Sequence, residues 1–288
     1  MPQPVLVAGA RTPIGKLLGS LSALPAPTLG AMAVEAALDS DALICGFDRI
    51  PMGAATERYR AGLGISRADQ DEFAAESHAR AVAAIKDGRL GEEIATVAAA
   101  GRKGTVTLEQ DEGMRPGTTA ERLARLPAAF APEGTITAGS ASQLSDGACA
   151  VVVMDKDHAE RHGLPWIAEI GAYGTVAGPD PSLLHQPANA IRDALRRDGT
   201  LRTDDLDLIE INEAFAVVAL ASLRDLGTSW DRVNVNGGAI ALGHPVGMSG
   251  ARPVLTLALR RRGGGTGAAA LCGGGQGDAL ILRVPDAR

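Results

Sequence analysis

The 288 residues are 45% hydrophobic and 22% charged with a formal net charge of −6, enough apolar chain for one large domain or two smaller ones. That acidic balance, with no basic run beyond Arg260–Arg262, argues against nucleic acid as the main partner. Three cysteines without metal-ligand spacing point to reduced thiols, no metal and a cytoplasmic setting, and neither a secretory leader nor a membrane-length apolar run is evident.

In chain order, Val5–Gly9 reads as a buried strand and Thr28–Leu38 as an Ala-rich helix behind the turn LPAPT. Asp39–Gly64 shows no clear period. Ser66, with Asp69 three residues on, opens the clearest helix, which closes at Gly88. Ile94–Ala98 and Thr105–Leu108 read as short strands, and Thr118–Leu126 as a short helix before Pro127. From Ala148 the pattern changes. ACAVVVM, WIAEIG, LDLIEIN, VNVN, GAAALC and ALILRV read as strands, with helices over Asp155–His162, Pro187–Arg197, Glu213–Leu226 and Ser249–Arg262. This alternation predicts an α/β fold with a largely parallel sheet, in which functional groups collect at the carboxyl ends of strands.

Three such groups end strands: Asn212 after LDLIEI, His244 after VNVNGG, and Cys272 closing GAAAL. Each has a plain structural reading. Asn212 or Glu213 could cap the next helix, His244 could sit in a Gly-Pro turn, and Cys272 could be a small core residue. The stretch Val233–Arg252 nevertheless surrounds one imidazole with much bare backbone. Glycine at such density is used where the chain turns sharply or approaches something closely.

EINEAFA (Glu210–Ala216), NVNGGAIALGHPVGMSGAR (Asn234–Arg252) and ALCGGGQGDAL (Ala270–Leu280) resemble the three C-terminal catalytic motifs of the thiolases. GARTPIGKLLGSL near the N-terminus and TITAGSASQLSDGA (Thr135–Ala148) match as well, and the likeness, to the biosynthetic type, covers nearly the whole chain. The resemblance implies two βα-rich halves in an αβαβα layering. They would be an N-terminal half over residues 1–160, incomplete and with a loop domain at about 41–127, and a C-terminal half over 161–288.

It further implies CoA-dependent acyl transfer, two acetyl-CoA giving acetoacetyl-CoA and CoA, or the reverse. Cys272 would be the base, acting as a thiolate held by nearby dipoles or charge. His244 would donate Nε2–H to an enolate oxygen beside a water held by Asn212, and the Gly274 N–H would serve a second oxyanion hole. Coenzyme A enters as a substrate, with no covalently bound cofactor. Ser142 would meet its pantetheine, Arg115 its nucleotide end, and Leu43, Met52, Ala138 and Phe130 its walls; Arg115 as a plain surface residue is the alternative. Where the family motif often reads His-Met-Gly, this chain has Pro51-Met52-Gly53.

A homodimer or homotetramer without nucleic acid or membrane partners is the implied assembly. One part is absent: no N-x-x-C-x-S-G motif supplies the cysteine that accepts the acyl group. AVEAALDS runs directly into DALICGFD, so a non-catalytic CoA-binding relative is the competing expectation.

Overall fold

A computed structural model describes residues 3–16, 43–101, 104–260 and 263–286. The helix expected at Thr28–Leu38, the chain junction near residues 37–42 and Arg261–Arg262 lie outside the described residues. In chain order the elements are strands β1 (Pro4–Arg11) and β2 (Gly15–Lys16), helices α1 (Met52–Tyr59) and α2 (Arg67–Lys86), strands β3 (Val97–Gly101) and β4 (Gly104–Leu108), and helix α3 (Ala120–Leu123). Then come β5 (Ser145–Asp146), β6 (Cys149–Asp155), α4 (Lys156–Arg161), β7 (Ala168–Ala177), α5 (Gln186–Asp198), β8 (Leu208–Ile211) and α6 (Ala216–Leu226). Helices α7 (Ala239–Leu242) and α8 (Ala251–Arg260) precede the closing hairpin of β9 (Gly265–Gly273) and β10 (Gln276–Val284).

The main sheet has six strands in the order β6-β1-β7-β10-β9-β8. It is mixed rather than largely parallel: only β8 and β9 run parallel, and every other neighbouring pair is antiparallel. The reason is local. Gly274 and Gly275, at φ 54° and 75°, close a two-residue hairpin between β9 and β10, and such turns enforce antiparallel pairing. The pairing of β1 with β6 repeats that of β7 with β10, and the two pairs meet where Val5 and Leu6 lie beside Glu169 and Ala168. In the second half β9 and β8 extend the sheet beyond β10; beyond β6 the described residues add no strand, leaving Val152 and Val153 about half exposed.

Helix α8 touches β8, β9 and β10 and also β1 and β6, so the sheet curls around it. Helix α5 covers the other face, on β7, β10 and β9. Beyond α5 the core continues into α6, whose face from Ala216 to Leu223 is wholly buried, and then to α2. Alanine predominates here, which lets these layers approach closely.

Helix α2 starts as its sequence requires. Ser66 Oγ accepts from the Asp69 N–H at 3.1 Å, Asp69 Oδ2 accepts from the Ser66 N–H at 2.7 Å, and Gly88 follows the C-terminus at φ 74°. Two expected elements shrink. The helix at Thr118–Leu126 is one turn capped by Thr119, and VNVN keeps a single bridge, Val233 to Ile209, because Asn234 turns to φ 48°. Helix α1, inside the stretch without a visible period, is an addition.

A buried ion network ties the N-terminal motif down. The Arg11 guanidinium donates to Glu93 Oε1 at 3.0 and 3.1 Å and to both Asp111 oxygens at 2.6 and 2.9 Å. Asp111 also accepts from the Ile14 N–H at 2.8 Å, and Glu93 from Thr256 Oγ1 of α8 at 2.7 Å. Although burial lowers the guanidinium's pKa, Asp111 and Glu93 together hold it above its usual range. The arginine of GARTP therefore joins β1 to α8 through Glu93 and to the chain after β1 through Asp111.

Candidate active site

Strand β8 ends at Ile211, and Asn212 continues it by one hydrogen bond, its N–H donating to Ala270 O at 2.9 Å. Ala270 lies in β9, two residues before Cys272. The Asn212 carboxamide is 1% exposed and its Nδ2 lies 3.1 Å from His244 Nε2. His244 in turn is fixed by its backbone N–H to Gln143 O at 2.9 Å and by Nδ1 to Ser249 Oγ at 2.6 Å. The segment Thr135–Ala148 laces these pieces together. The Ser142 N–H donates to Ala214 O at 3.0 Å, the Ala216 N–H donates to Ser140 O at 2.8 Å, and Leu144 pairs with His244.

Two proton arrangements fit these heavy-atom positions. In one, Ser249 donates to Pro245 O at 2.7 Å and accepts from the imidazole Nδ1–H, so Nε2 accepts from Asn212. In the other, Ser249 donates to Nδ1, Nε2 carries the proton, and a turned carboxamide meets it with Oδ1. The second arrangement pairs Asn212 Oδ1, which is buried without a hydrogen-bond partner in the first, leaves Nδ2 in the unpaired place instead, and puts the ring proton on Nε2. In both the ring is neutral, because burial and the nearby charge of Arg252 push its pKa down to about 4.

Cys272 is half-buried and packs against the core. Burial pushes its thiol up to about 12, so at neutral pH it is a thiol and not the standing thiolate expected from sequence. Beside it, Gly274 is open: a β-carbon there would meet only the Met52 methyl, at 3.9 Å, which places the start of α1 over the β9–β10 turn. Phe130 packs edge-to-face on Phe215 with centroids 5.7 Å apart, and the Met52 N–H donates to Leu43 O at 2.7 Å. Arg115 and Ala138 are exposed, and Ser142 and Leu43 half-buried. Among the described residues no group of His, Cys, Asp or Glu could hold a metal ion. A cavity of about 1100 Å³ bounded by Gly9, Trp166 and Leu259 contains none of Asn212, His244 or Cys272.

Several buried polar residues at the site carry no functional role in the sequence reading. Asn234, at positive φ, bonds both peptide groups of Ile211. Glu213 turns inward, which delays the helix expected from Glu213 until Ala216. Glu210, 2% exposed, leaves Oε2 without a hydrogen-bond partner, as Arg252 leaves all three guanidinium nitrogens.

Burial pushes Glu210 from 4.5 up to about 8, Arg252 opposing and Glu93 and Glu213 reinforcing. A pKa raised in the folded state gives stability that is full below the unfolded value and is lost as pH rises through the folded one. His78 and His244, lowered by burial from 6.5 to about 4, work in the opposite sense and lose stability as pH falls through that window. Between pH 6.5 and 8 the Glu210 loss is therefore unopposed, and urea unfolding should show stability dropping by about 2 kcal/mol. Glu210→Gln should flatten that drop; an unchanged slope would show that Glu210 is not its source.

Family profiles match twice: the thiolase N-terminal domain over residues 38–157 and the thiolase C-terminal domain over residues 164–284. The chain belongs to the thiolase family. A probable acetyl-CoA acetyltransferase of Mycolicibacterium smegmatis is 60% identical over 237 residues, 81% of this chain and 61% of that protein. The acetyl-CoA acetyltransferase of Paracoccus denitrificans is 43% identical over 285 residues, 98% of this chain and 72% of its own length. This thiolase chain thus spans about three fifths of the length of the mycobacterial relatives it matches. The human mitochondrial 3-ketoacyl-CoA thiolase shares its fold, with a TM-score of 0.89, 29% identity and 99% coverage of both chains.

Proposed function

We propose that this chain binds an acyl-CoA thioester and activates the carbon beside its carbonyl, the part of thiolase acyl-transfer chemistry for which it keeps residues. The supporting observation is the 3.1 Å contact between Asn212 and His244, with Asn212 bonded along its backbone to the strand that carries Cys272. The thioester oxygen would take hydrogen bonds from His244 Nε2–H and the Asn212 side, with the Gly274 N–H available to a second oxyanion. The α-proton passes to Sγ of the thiolate form of Cys272, giving the thiol, while the C–H electron pair becomes the C=C bond and the carbonyl π pair moves onto oxygen as an enolate. Donors aimed at that oxygen lower the barrier because the charge develops there. In this reading the stretch 41–127 covers coenzyme A, with Met52, Leu43, Phe130, Ala138 and Ser142 along the pantetheine and Arg115 at the nucleotide.

The family reaction, two acetyl-CoA to acetoacetyl-CoA and CoA, also needs a cysteine that carries the acyl group. Cys45 has no exposure and its Sγ accepts from the Asp48 N–H at 3.4 Å; Cys149 lies in β6, half-buried, its thiol pushed up by burial. Neither is offered to a thioester. Thiolysis of acetoacetyl-CoA is accordingly expected at background, unchanged by Cys45→Ser. Robust turnover abolished by that substitution would contradict this.

The direct test is deuterium incorporation into acetyl-CoA from heavy water, followed by mass spectrometry. Exchange lost in Cys272→Ala supports the reading, and equal incorporation with and without the thiol overturns it. Burial of the Cys272 thiol, which keeps it protonated at neutral pH, favours a second reading: a CoA-binding relative without catalysis. Binding without exchange would select it. A homodimer or homotetramer in the cytoplasm is the assembly we infer from the family, and size-exclusion chromatography with light scattering checks it.

A further inference from the structure

Glu213, the residue after Asn212, is 1% exposed yet accepts three hydrogen bonds. Ser77 Oγ of α2 donates to Oε2 at 2.8 Å, the Ile240 N–H of α7 to the same oxygen at 3.1 Å, and Asn234 Nδ2 to Oε1 at 2.8 Å. The Asn234 carboxamide also takes the Ile211 N–H at 2.8 Å and gives a hydrogen bond to Ile211 O at 2.8 Å. One side chain thus substitutes for a neighbouring strand at the peptide groups that precede Asn212. Gly238 makes room, since a β-carbon there would fall 2.3–2.6 Å from the Glu213 carboxylate, and its N–H donates to Ser77 Oγ at 3.1 Å.

Helix α2 and the turn after it hold the same glycine turn from outside. Arg80 donates to Trp230 O at 2.9 Å and Val233 O at 2.7 Å, and Arg89 to Asn236 Oδ1 at 2.5 Å. From this clasp the chain passes through the four residues of α7 and Gly243 to His244. The carboxylate therefore touches both arms of the Asn212–His244 contact: one through its own backbone and Asn234, the other through Ile240 and Gly238.

We propose that Glu213 is a positioning residue, which fixes the separation of Asn212 and His244 by joining α2, the β8 tip and the glycine turn. It meets neither reacting group. This rests on the α-carbon chemistry proposed above. A buried acid that only stabilised the fold would leave the kinetics of the folded fraction untouched. Glutamine cannot replace it, because its amide nitrogen would face a donor on one side of the clasp.

The test uses Glu213→Gln and, in case that variant folds poorly, Ser77→Ala, which removes one donor. Both are compared with wild type in acetyl-CoA deuterium exchange and in the imidazole 15N spectrum of His244. For Glu213→Gln we expect kcat for exchange to fall about ten- to a hundredfold with KM for acetyl-CoA unchanged, since small misplacement of reacting groups costs that much. Ser77→Ala should lose less, and the His244 nitrogens should shift in both. Folded variants with wild-type kcat and unmoved His244 resonances would overturn the proposal. If wild type itself shows no exchange, the α-carbon chemistry fails, and the His244 spectra alone decide the positioning role: shifts in both variants support it and unmoved signals refute it.

Discussion

Arg11→Ala is expected to destabilise the protein by about 3–5 kcal/mol, the cost of breaking a buried ion pair from one side. Its side chain has no exposure, and the carboxylates of Glu93 and Asp111 have 2% or less. Removing the guanidinium leaves two acids in a space water does not reach, and they must then protonate or drag the structure open. Domains of this kind have about 5–15 kcal/mol in total, so the loss is a large fraction of it. The network also carries the fold's connectivity, because Asp111 holds the backbone after β1 and Glu93 holds Thr256 of α8. Urea unfolding measures the effect. Replacing all three residues together with Met, Gln and Asn should cost far less than Arg11→Ala alone, since no unpaired charge remains. Equal losses from the single and triple variants would mean that packing, and not charge, is what Arg11 supplies.

His244→Ala is expected to reduce acetyl-CoA exchange about a hundred- to a thousandfold at unchanged binding, as when one oxyanion donor is removed. The neutral imidazole loses no proton across the working range, because its pKa is near 4. Wild-type exchange should instead follow Cys272: with the thiol near 12, each pH unit between 6 and 9 multiplies the thiolate tenfold, and the rate should rise with it. A rate flat over that range would remove Cys272 as the base. A His244→Ala variant with full exchange but weakened binding would make the imidazole a substrate contact and nothing more.

Much of this could be seen in the chain itself. The Ser66–Asp69 cap and Gly88 fix α2 because their signals are local, and strand tips ending in Asn212 and Cys272 follow from short apolar runs meeting polar residues. What could not be read was set by distant partners. VNVN alternates like a strand, yet Asn234 adopts positive φ and its side chain makes the hydrogen bonds that strand pairing would have made. The run of three glycines from Gly273 carried a hairpin signal, although strand–helix alternation pointed to a parallel sheet. Helix α1 begins behind Pro51 without an acidic first turn or a side-chain cap, so its start had little to mark it. Buried Glu210, Glu213 and Arg252 look like ordinary surface charges in one dimension; only packing makes them costly. The high pKa of Cys272 likewise comes from neighbours brought together by folding.

In the proposed chemistry the His244 imidazole and a water held by Asn212 share one thioester oxygen. The carbonyl stretch of [1-13C]acetyl-CoA, bound in excess protein and read by infrared difference spectroscopy, tests it most directly. A fall in frequency on binding, largely lost in His244→Ala and reduced in Asn212→Ala, is the expected result. A bound thioester whose carbonyl vibrates as it does in water, with all three proteins alike, would contradict it.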